Sequence, residues 1–298
     1  MNVPTSQSTQ PAPRSWWRRQ RWLLLRRLTQ LCVLTLFLAG PWFGIWLVKG
    51  NLNSSLTLNV LPLTDPYLLL QTLASGHLAE RTAFVGAALV VALYVLVGGR
   101  AYCAWVCPLN AVTDAAHWLR SRLGIKVGAH LGRQTRYWIL GLTLLLAAAT
   151  GTLAWELVNP VSMLHRGLVF GMGAAWLVVL AVFLFDVFVA NQGWCGHLCP
   201  TGAFYGLIGR LAVLRVDTRR REACDDCMDC FAVCPEPAVI RAPLKEAKAA
   251  PLILSSQCSN CGRCIDVCGK GVFAYATRFS VSSATDRRKT KPENPNPS

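Results

Sequence analysis

The stretch GWCGHLCPTGAFYG, residues 193–206, places two cysteines four positions apart directly after a long apolar run. The stretch RAYCAWVCPLNAV, residues 100–112, repeats the same C-x3-C-P pattern after an earlier apolar run. A polar residue followed by proline precedes each run, Asp65 in the first copy and Asn159 in the second, at nearly the same distance from its cysteines. We therefore expect an internal repeat in which two pairs of helices run in the same direction.

The composition is that of a membrane protein. Of the 298 residues, 53% are hydrophobic and only 15% are charged, which is unlike a soluble globular domain. Four segments carry no charge over roughly the twenty residues that a helix needs to cross a bilayer core. Helices are expected because the backbone polar groups must be satisfied inside lipid. The four predicted transmembrane helices are residues 28–48, 82–99, 137–155 and 167–185.

The net charge of +15 does not indicate nucleic-acid binding, because the basic residues are distributed by loop. Lys and Arg are frequent before the first span, between the second and third, and after the fourth, and they are rare in the other two loops. This is the positive-inside pattern. It predicts a multi-pass protein of a bacterial inner membrane with both termini in the cytoplasm. Both C-x3-C-P pairs then emerge on the cytoplasmic side.

Two further cysteine runs have the spacing of bacterial ferredoxins: CDDCMDCFAVCP, residues 224–235, and CSNCGRCIDVCG, residues 258–269. In such runs three cysteines bind one cluster, and the fourth reaches the other cluster. Separated zinc-binding pairs and cytoplasmic disulfides fit this spacing less well. We therefore predict two [4Fe–4S] clusters with crossed ligands. The predicted sets are Cys224, Cys227, Cys230 and Cys268 for one cluster, and Cys258, Cys261, Cys264 and Cys234 for the other.

The predicted fold is a mainly α membrane protein with four transmembrane helices in two parallel repeats and a small C-terminal α+β domain like a bacterial ferredoxin. An axis along the membrane normal would relate the two repeats. The predicted boundaries are 1–21 for a disordered basic segment, 22–215 for the four-helix membrane domain, 216–280 for the two-cluster ferredoxin-like domain and 281–298 for a disordered tail.

The C-x3-C-P cysteines form two pairs. Residues four apart lie on one face of a helix, so Cys103 with Cys107, and Cys195 with Cys199, are each predicted to form a claw of two thiolates. The four together could hold one metal ion or an additional cluster. Reversible disulfides, or thiols that merely pack against the ferredoxin-like domain, are the open alternatives.

The order of these features resembles the NapH-type membrane ferredoxins, as do the stretches LTDPYLLLQTLASGH, residues 63–77, and NPVSMLHRGLVFG, residues 159–171. The resemblance covers about residues 22–279. It implies the quinol dehydrogenase component of a periplasmic nitrate reductase system. Its partners would be quinol, a NapG-like periplasmic ferredoxin and the other electron-transfer subunits of that system. Clusters on the inner face are, however, poorly placed to serve an acceptor on the outer face.

Two other functions remain open. The C-x3-C-P and ferredoxin motifs also resemble the ferredoxins of copper-oxidase assembly, in which the thiol pairs would handle copper as a reductase or assembly site. The chain could also be a non-redox membrane anchor for a soluble electron carrier.

A quinol site needs an apolar slot, hydrogen-bond partners and a base that accepts protons. Glu156 and His165 flank the NPVSML segment in the second predicted external loop, and we hypothesise that they line this site. Asp65 and His77 lie in the first predicted external loop. Asp186, near the inner end of the fourth span, is the next candidate.

Overall fold

The computed structural model describes residues 16–125, 128–129, 131–171, 173–246 and 249–280. Predicted disorder in residues 1–15 and 281–298 therefore lies outside the described residues. Helix α1 (Trp16–Phe43) comes first, followed by a three-stranded antiparallel sheet of β1 (Val48–Gly50), β2 (Ser54–Thr57) and β3 (Leu61–Thr64).

Two copies of one helical arrangement follow the sheet. The first contains α2 (Pro66–Ala74), α3 (Arg81–Val97), α4 (Ala101–Trp105) and α5 (Leu109–Arg122). Helix α6 (Thr135–Thr150) connects it to the second copy, which contains α7 (Pro160–Phe170), α8 (Gly173–Leu184), π-helical turns at Phe185–Val189 and Trp194–Leu198, and α9 (Pro200–Ile208). Each copy thus has a short helix, a longer apolar helix, a cysteine segment and a further helix, in the order that the sequence repeat predicts.

The apolar helices differ in length from the predicted spans. Among the described residues, one helix is long and apolar enough to cross a membrane, Arg19–Phe43, whereas 81–97, 135–150 and 175–189 are shorter apolar helices. The third predicted span stops early because Gly151 ends α6 in a left-handed conformation. The predicted span 167–185 is divided at Gly171, which ends α7 in the same way. Hydropathy alone joined two helices there that the backbone separates.

The short helices α2 and α7 begin in the same way. The Asp65 side chain accepts a hydrogen bond from the backbone N–H of Tyr67 at 3.0 Å, and the Asn159 side chain accepts one from Val161 at 3.1 Å. Proline follows each capping residue, where its missing N–H costs nothing and its fixed φ favours the first helical turn. Helix α2 then packs against α6, and α7 packs against α8. The capped polar-Pro pairs are therefore the starts of short interior helices.

The C-terminal domain contains β4 (Leu214–Asp217), α10 (Asp229–Val233), α11 (Ala238–Lys245), α12 (Arg263–Val267) and β5 (Ala274–Thr277). Strands β4 and β5 pair in antiparallel register and join the two ends of the domain. Its core includes Val216, Ile240, Ile253 and Phe273, all at most 4% exposed. This is the small α+β unit that the sequence predicts, and its sheet begins two residues before the predicted boundary at 216.

Helix α1 begins at Trp16, inside the segment 1–21 that the sequence suggested to be disordered. The reason is a long-range contact. The backbone N–H groups of Trp22 and Leu23 each donate to the Asp266 carboxylate at 3.1 Å, and the Trp22 ring packs edge-on against Tyr275 at 4.8 Å. The first turns of α1 are thus held by the C-terminal domain, which residue composition cannot indicate.

Gly99 lies where the two repeats meet, and we expect one added methyl group there to destabilise the fold strongly. A Cβ at Gly99 would overlap the backbone oxygen of Tyr205 and the backbone nitrogen of Gly209, neither of which can move as a flexible side chain would. Gly99→Ala is expected to lower the free energy of unfolding by about 1–3 kcal/mol or more, as overpacking does. Thermal unfolding of the purified chain in detergent measures this loss.

Gly141→Ala is the matched control, because its Cβ would meet no atom within 4 Å on α6. We expect Gly141→Ala to unfold at the wild-type temperature or above it, since Ala also favours a helix over Gly. Equal unfolding temperatures for the two variants would contradict the close contact at Gly99.

Candidate functional site

The four cysteines predicted to bind the first cluster line one cavity in the C-terminal domain. Helix α10 packs against α12, and this contact brings Cys268, at the end of the second run, beside the first run. Phe231, Leu244 and Phe273 contribute apolar wall to the same cavity. The lining cysteines are Cys224, Cys227, Cys230 and Cys268.

The two cysteine runs fold into matching loops. Asp226 and Asn260 occupy the same position in their runs, with φ of 58° and 47°, and Met228 and Gly262 occupy the next equivalent position, with φ of 63° and 74°. The first cysteine of each run donates its S–H to that Asp or Asn side chain at 3.4 Å. Left-handed residues on both sides of the second cysteine tighten each loop. Each run therefore presents its first three thiols from one compact turn.

The second predicted set is also brought together. Cys234 directly follows α10, and its thiol is close enough to those of Cys258 and Cys261 to interact with them electrostatically. Cys264 on α12 interacts with the same thiols. Burial raises the pKa of Cys234 to about 12 and that of Cys258 to about 11. These thiols are protonated at neutral pH unless a metal displaces the protons. Two sets made of soft thiol donors alone fit iron–sulfur clusters.

The C-x3-C-P cysteines share one cavity in the helix bundle. Asp65 and Asn159, the capping residues of α2 and α7, line the same cavity, together with Trp155 and Trp194. The sequence placed both capping residues in external loops and the cysteines on the cytoplasmic face, and this separation is wrong. Because α2 and α7 start in the interior, their caps lie beside the thiols. The lining cysteines are Cys103, Cys107, Cys195 and Cys199.

The helical claw predicted for each thiol pair is also wrong. Cys103 lies on the short helix α4, but Cys107 lies beyond its end. Cys195 lies on a π-helical turn, and Cys199 is the residue before α9. A proline follows the second cysteine of each pair, and proline disfavours helical conformation in the residue before it. Each pair therefore spans a helix break, which still directs both thiols into the cavity. Among the described residues, no group of three or more His, Cys, Asp or Glu side chains is close enough to hold one metal ion.

Four helices begin at this cavity: α2, α5, α7 and α9. The thiol of Cys107 faces the backbone amides of Leu109 and Asn110 at the start of α5, and the thiol of Cys199 faces the amide of Gly202 at the start of α9. Helix N-termini carry partial positive charge and free N–H groups, which favour a buried anion. Four thiolates around an iron–sulfur cluster are such an anion, and each thiolate then binds its own iron atom, so the four need not converge on a single metal ion. The donor set and its surroundings therefore fit a group of that kind.

A buried polar network joins this cavity to the C-terminal domain. Arg100, 4% exposed, donates to the backbone oxygen of Cys195 at 3.1 Å and to that of Gln257 at 3.1 Å. Arg136 donates to the backbone oxygen of Gly196 at 3.0 Å, and both guanidinium groups lie 3.4 Å from Glu236. Gln257 precedes the first cysteine of the second run. Arg100 thus connects a cysteine of the four-cysteine cavity to the residue that precedes the second ferredoxin set.

The sequence reasoning missed this network. Arg100 and Arg136 stand at the ends of apolar segments, where they were counted as positive-inside residues. Their burial against a single carboxylate was not foreseen. The available signal was Glu236, an acidic residue two positions after the last cysteine of its run.

Of the two candidate quinol residues, Glu156 lies in the loop between α6 and α7, whereas His165 lies on α7 itself. Glu156 accepts hydrogen bonds from Asn159 and Ser162, both at 2.9 Å, and from Asn53. His165 is 8% exposed on α7, and its ring meets Phe37 of α1 edge-on at 6.0 Å. His165 is therefore packed between helices instead of lying in a loop. Glu156 is hydrogen-bonded to Asn53 and Asn159, which both line the four-cysteine cavity.

The remaining carboxylate and histidine candidates, Asp186 and His77, each contact a backbone group. Asp186 is fully buried and accepts the backbone N–H of Trp194 at 2.9 Å, which fixes the start of the second cysteine segment. His77 is exposed and lies 3.2 Å from the backbone oxygen of Gly151.

Comparison with known proteins gives matches over nearly the whole chain. A family model described as a 4Fe-4S binding domain matches residues 82–126 and 171–219, and one described as a 4Fe-4S dicluster domain matches residues 223–272. The chain is 51% identical to the ferredoxin-type protein NapH of Escherichia coli (strain K12), over 90% of this chain and 93% of that protein. It is 53% identical to the methylamine utilization ferredoxin-type protein MauN of Paracoccus denitrificans, over 90% of this chain and 94% of that protein. No solved structure matches.

Proposed function

The chain belongs to the family of NapH-type and MauN-type ferredoxin proteins, and we propose that within it the chain is the membrane-bound quinol dehydrogenase component of a redox complex. In this proposal it oxidises quinol to quinone in a bacterial inner membrane. Two electrons and two protons leave the quinol, and the electrons pass towards a NapG-like periplasmic ferredoxin and the nitrate reductase system that it serves.

The continuous contact between the cysteine sets is the observation that carries the proposal. The two ferredoxin sets share the packed pair α10 and α12, and Arg100 bridges the second set to the four-cysteine cavity. An anchor for a soluble carrier needs no such series of adjacent thiol sets. The series supports transfer of electrons through the chain itself.

We propose three [4Fe–4S] clusters. Two would be held by the crossed ferredoxin sets, and the third by Cys103, Cys107, Cys195 and Cys199. The model described as a 4Fe-4S binding domain matches residues 82–126 and 171–219, and these four are the cysteines of those ranges. A bound cluster would accept and release one electron at a time. The protein's contribution is to hold the thiols, keep the cavity dry and place Arg100 between the sets.

The third site bears on how electrons could reach the outer face. Trp22 of α1 touches the C-terminal domain, whereas Gln30 of the same helix donates to the backbone oxygen of Ala104 in the first cysteine segment, at 3.0 Å. The cysteine segment is thus about 12 Å further along α1, at 1.5 Å per residue. We propose that α1, α3, α6 and α8 with its π turn cross the membrane, with both termini in the cytoplasm. The four-cysteine cavity then lies deeper than the ferredoxin-like domain.

Quinol-dependent reduction tests the proposed function. Anaerobically purified full-length protein in lipid nanodiscs should lose its iron–sulfur absorption when a quinol is added, to an extent comparable with reduction by dithionite. A chain that dithionite reduces but that quinol leaves oxidised would contradict quinol oxidation and favour the anchor. A spectral change that requires added copper would favour the copper reductase instead.

A second candidate follows from the relatives named for methylamine utilization, one of which is 53% identical to this chain. The chain could serve electron transfer in that system. Expression in a host that lacks its own NapH-type protein, and separately in one that lacks its MauN-type protein, distinguishes the two. Restored nitrate reduction supports the first system, and restored growth on methylamine supports the second.

A further inference from the structure

A cavity lies where α1 and α5 meet the ferredoxin-like domain. Trp16, Leu23 and Arg26 of α1 line one side, and Trp118 of α5 lines another. The ferredoxin-like domain contributes Val233, Arg263 and Val267 to the wall. The other lining residues are polar or charged: Arg19, Gln20, Arg27, Asp114, His117 and Asp266. It shares no lining residue with the two cysteine-lined cavities described above.

Arg26 is the unusual residue of this cavity. Its side chain is 1% exposed, yet its Nε and Nη1 atoms have no hydrogen-bond partner within the described part of the chain. Asp114 lies 3.9 Å from Nη1, too far for a hydrogen bond, and that carboxylate is already paired with Arg27 and Arg263. Buried donors are nearly always paired, and leaving two donors of one guanidinium unpaired is costly, so these atoms call for an acceptor that the protein itself does not supply. Arg26 thus offers two donors to an acceptor in the cavity.

The rest of the wall suits a flat, largely apolar ring. Leu23, Val233 and Val267 are aliphatic, and the rings of Trp16 and Trp118 stand at the rim, 57% and 59% exposed. Tryptophans in such positions are typical of the membrane–water interface. The cavity is at the end of α1 that precedes its apolar stretch. A lipid-soluble molecule could therefore enter from the bilayer with its ring first.

The cavity also touches the cysteine-bearing helices. Val233 directly precedes Cys234, and Arg263 directly precedes Cys264. Both cysteines belong to the second predicted ferredoxin set. Val267 directly precedes Cys268 of the first set. The cavity wall thus includes residues next in sequence to cysteines of both sets, which favours a redox-active ring over a purely structural ligand.

We propose that the quinol ring binds in this cavity, with an oxygen of the ring accepting hydrogen bonds from Arg26. The proposal rests on the quinol dehydrogenase function proposed above. It places the ring at the inner face, instead of at Glu156 and His165. An anionic lipid headgroup would use the same arginines, but the apolar wall and the adjacent cysteine helices favour the quinol.

Photolabelling of the loaded protein tests this placement. Full-length protein with its clusters, in phosphatidylcholine nanodiscs, is irradiated with an azidoquinone, and the labelled peptides are mapped by mass spectrometry. We expect label in residues 16–27 or 109–122, displaced by excess naphthoquinone. Arg26→Gln should lower the labelling about tenfold, as expected for loss of hydrogen bonds from a charged donor. Trp118→Ala, at a rim position that is 59% exposed, should lower it as well.

Arg81→Gln is the control, because Arg81 is an exposed arginine at the start of α3 and lies outside the cavity. It should label as wild type does, and all variants should keep their iron content. Label on α7 that Glu156→Gln or His165→Ala removes would overturn the placement. Displacement of the label by phosphatidylglycerol as readily as by naphthoquinone would assign the cavity to lipid, and unchanged labelling in Arg26→Gln would also contradict the proposal.

The two proposals fail separately. Label in the cavity without quinol-dependent reduction would keep the binding site and remove quinol oxidation. Quinol-dependent reduction without label in the cavity would keep the function and overturn the binding site.

Discussion

A chain with alanine at both Cys103 and Cys195 is expected to bind about eight iron atoms, against about twelve in the wild type, because one [4Fe–4S] cluster is lost. Together the two substitutions remove one thiol from each half of the four-cysteine cavity, and alanine offers no replacement ligand. The ferredoxin sets are in a separate domain with its own core, so their clusters should remain. Iron and acid-labile sulfide per chain, measured after anaerobic purification, test the expectation.

Cys32→Ala is the matched control. Cys32 is an exposed thiol of α1 and lines neither of the two cysteine-lined cavities. Its loss should leave about twelve iron atoms per chain. A wild type with about eight iron atoms, unchanged in the chain that lacks Cys103 and Cys195, would contradict the third cluster and return these thiols to a redox or packing role.

The ferredoxin-like domain could be predicted closely because its information is local. Three cysteines at intervals of three residues need one tight turn, and the left-handed residues beside the second cysteine of each run provide it. The family was predicted from the order of the apolar segments, the C-x3-C-P motifs and the ferredoxin runs, and it is confirmed by relatives at about half identity over most of the chain. A motif with fixed spacing carries its geometry within a dozen residues.

The position of the four-cysteine cavity could not be predicted, because it depends on where short helices begin. The sequence method counts alternate loops as inside and outside, and it therefore placed Asp65 and Asn159 outside. Each residue is instead the cap of a helix that starts in the interior. The cap-and-proline signal was present in the sequence. Hydropathy could not show whether such a helix starts at the membrane surface or within the bundle.

Two helix boundaries were predicted wrongly for a related reason. Gly171 is compatible with an apolar segment, so the sequence joined the end of α7 to α8, but its left-handed backbone separates them. At the other end of the chain, Trp22 continues a helix because Asp266 accepts its backbone N–H, a contact across 244 positions of sequence. Both outcomes depend on the partner that a segment meets in the folded chain.

Crossed ligation of the two ferredoxin clusters predicts a pattern in double variants that no uncrossed arrangement produces. Cys268→Ala alone should remove about four iron atoms, and Cys227→Ala alone should do the same. If both residues bind one cluster, the chain with both substitutions still loses only about four iron atoms. Cys268→Ala combined with Cys261→Ala should instead lose about eight, because those residues serve different clusters.

The structural basis for this prediction is the cavity that Cys268 lines with the first run, whereas the three other cysteines of its own run lie near Cys234. Cys234→Ala provides the reciprocal test: it should add no iron loss to Cys261→Ala and should add a full cluster to the loss in Cys227→Ala. The uncrossed arrangement predicts the reverse in all four double variants. Since each comparison is a difference between iron counts of chains that differ by one residue, partial cluster loss common to all preparations cancels, and the pattern decides the ligand sets.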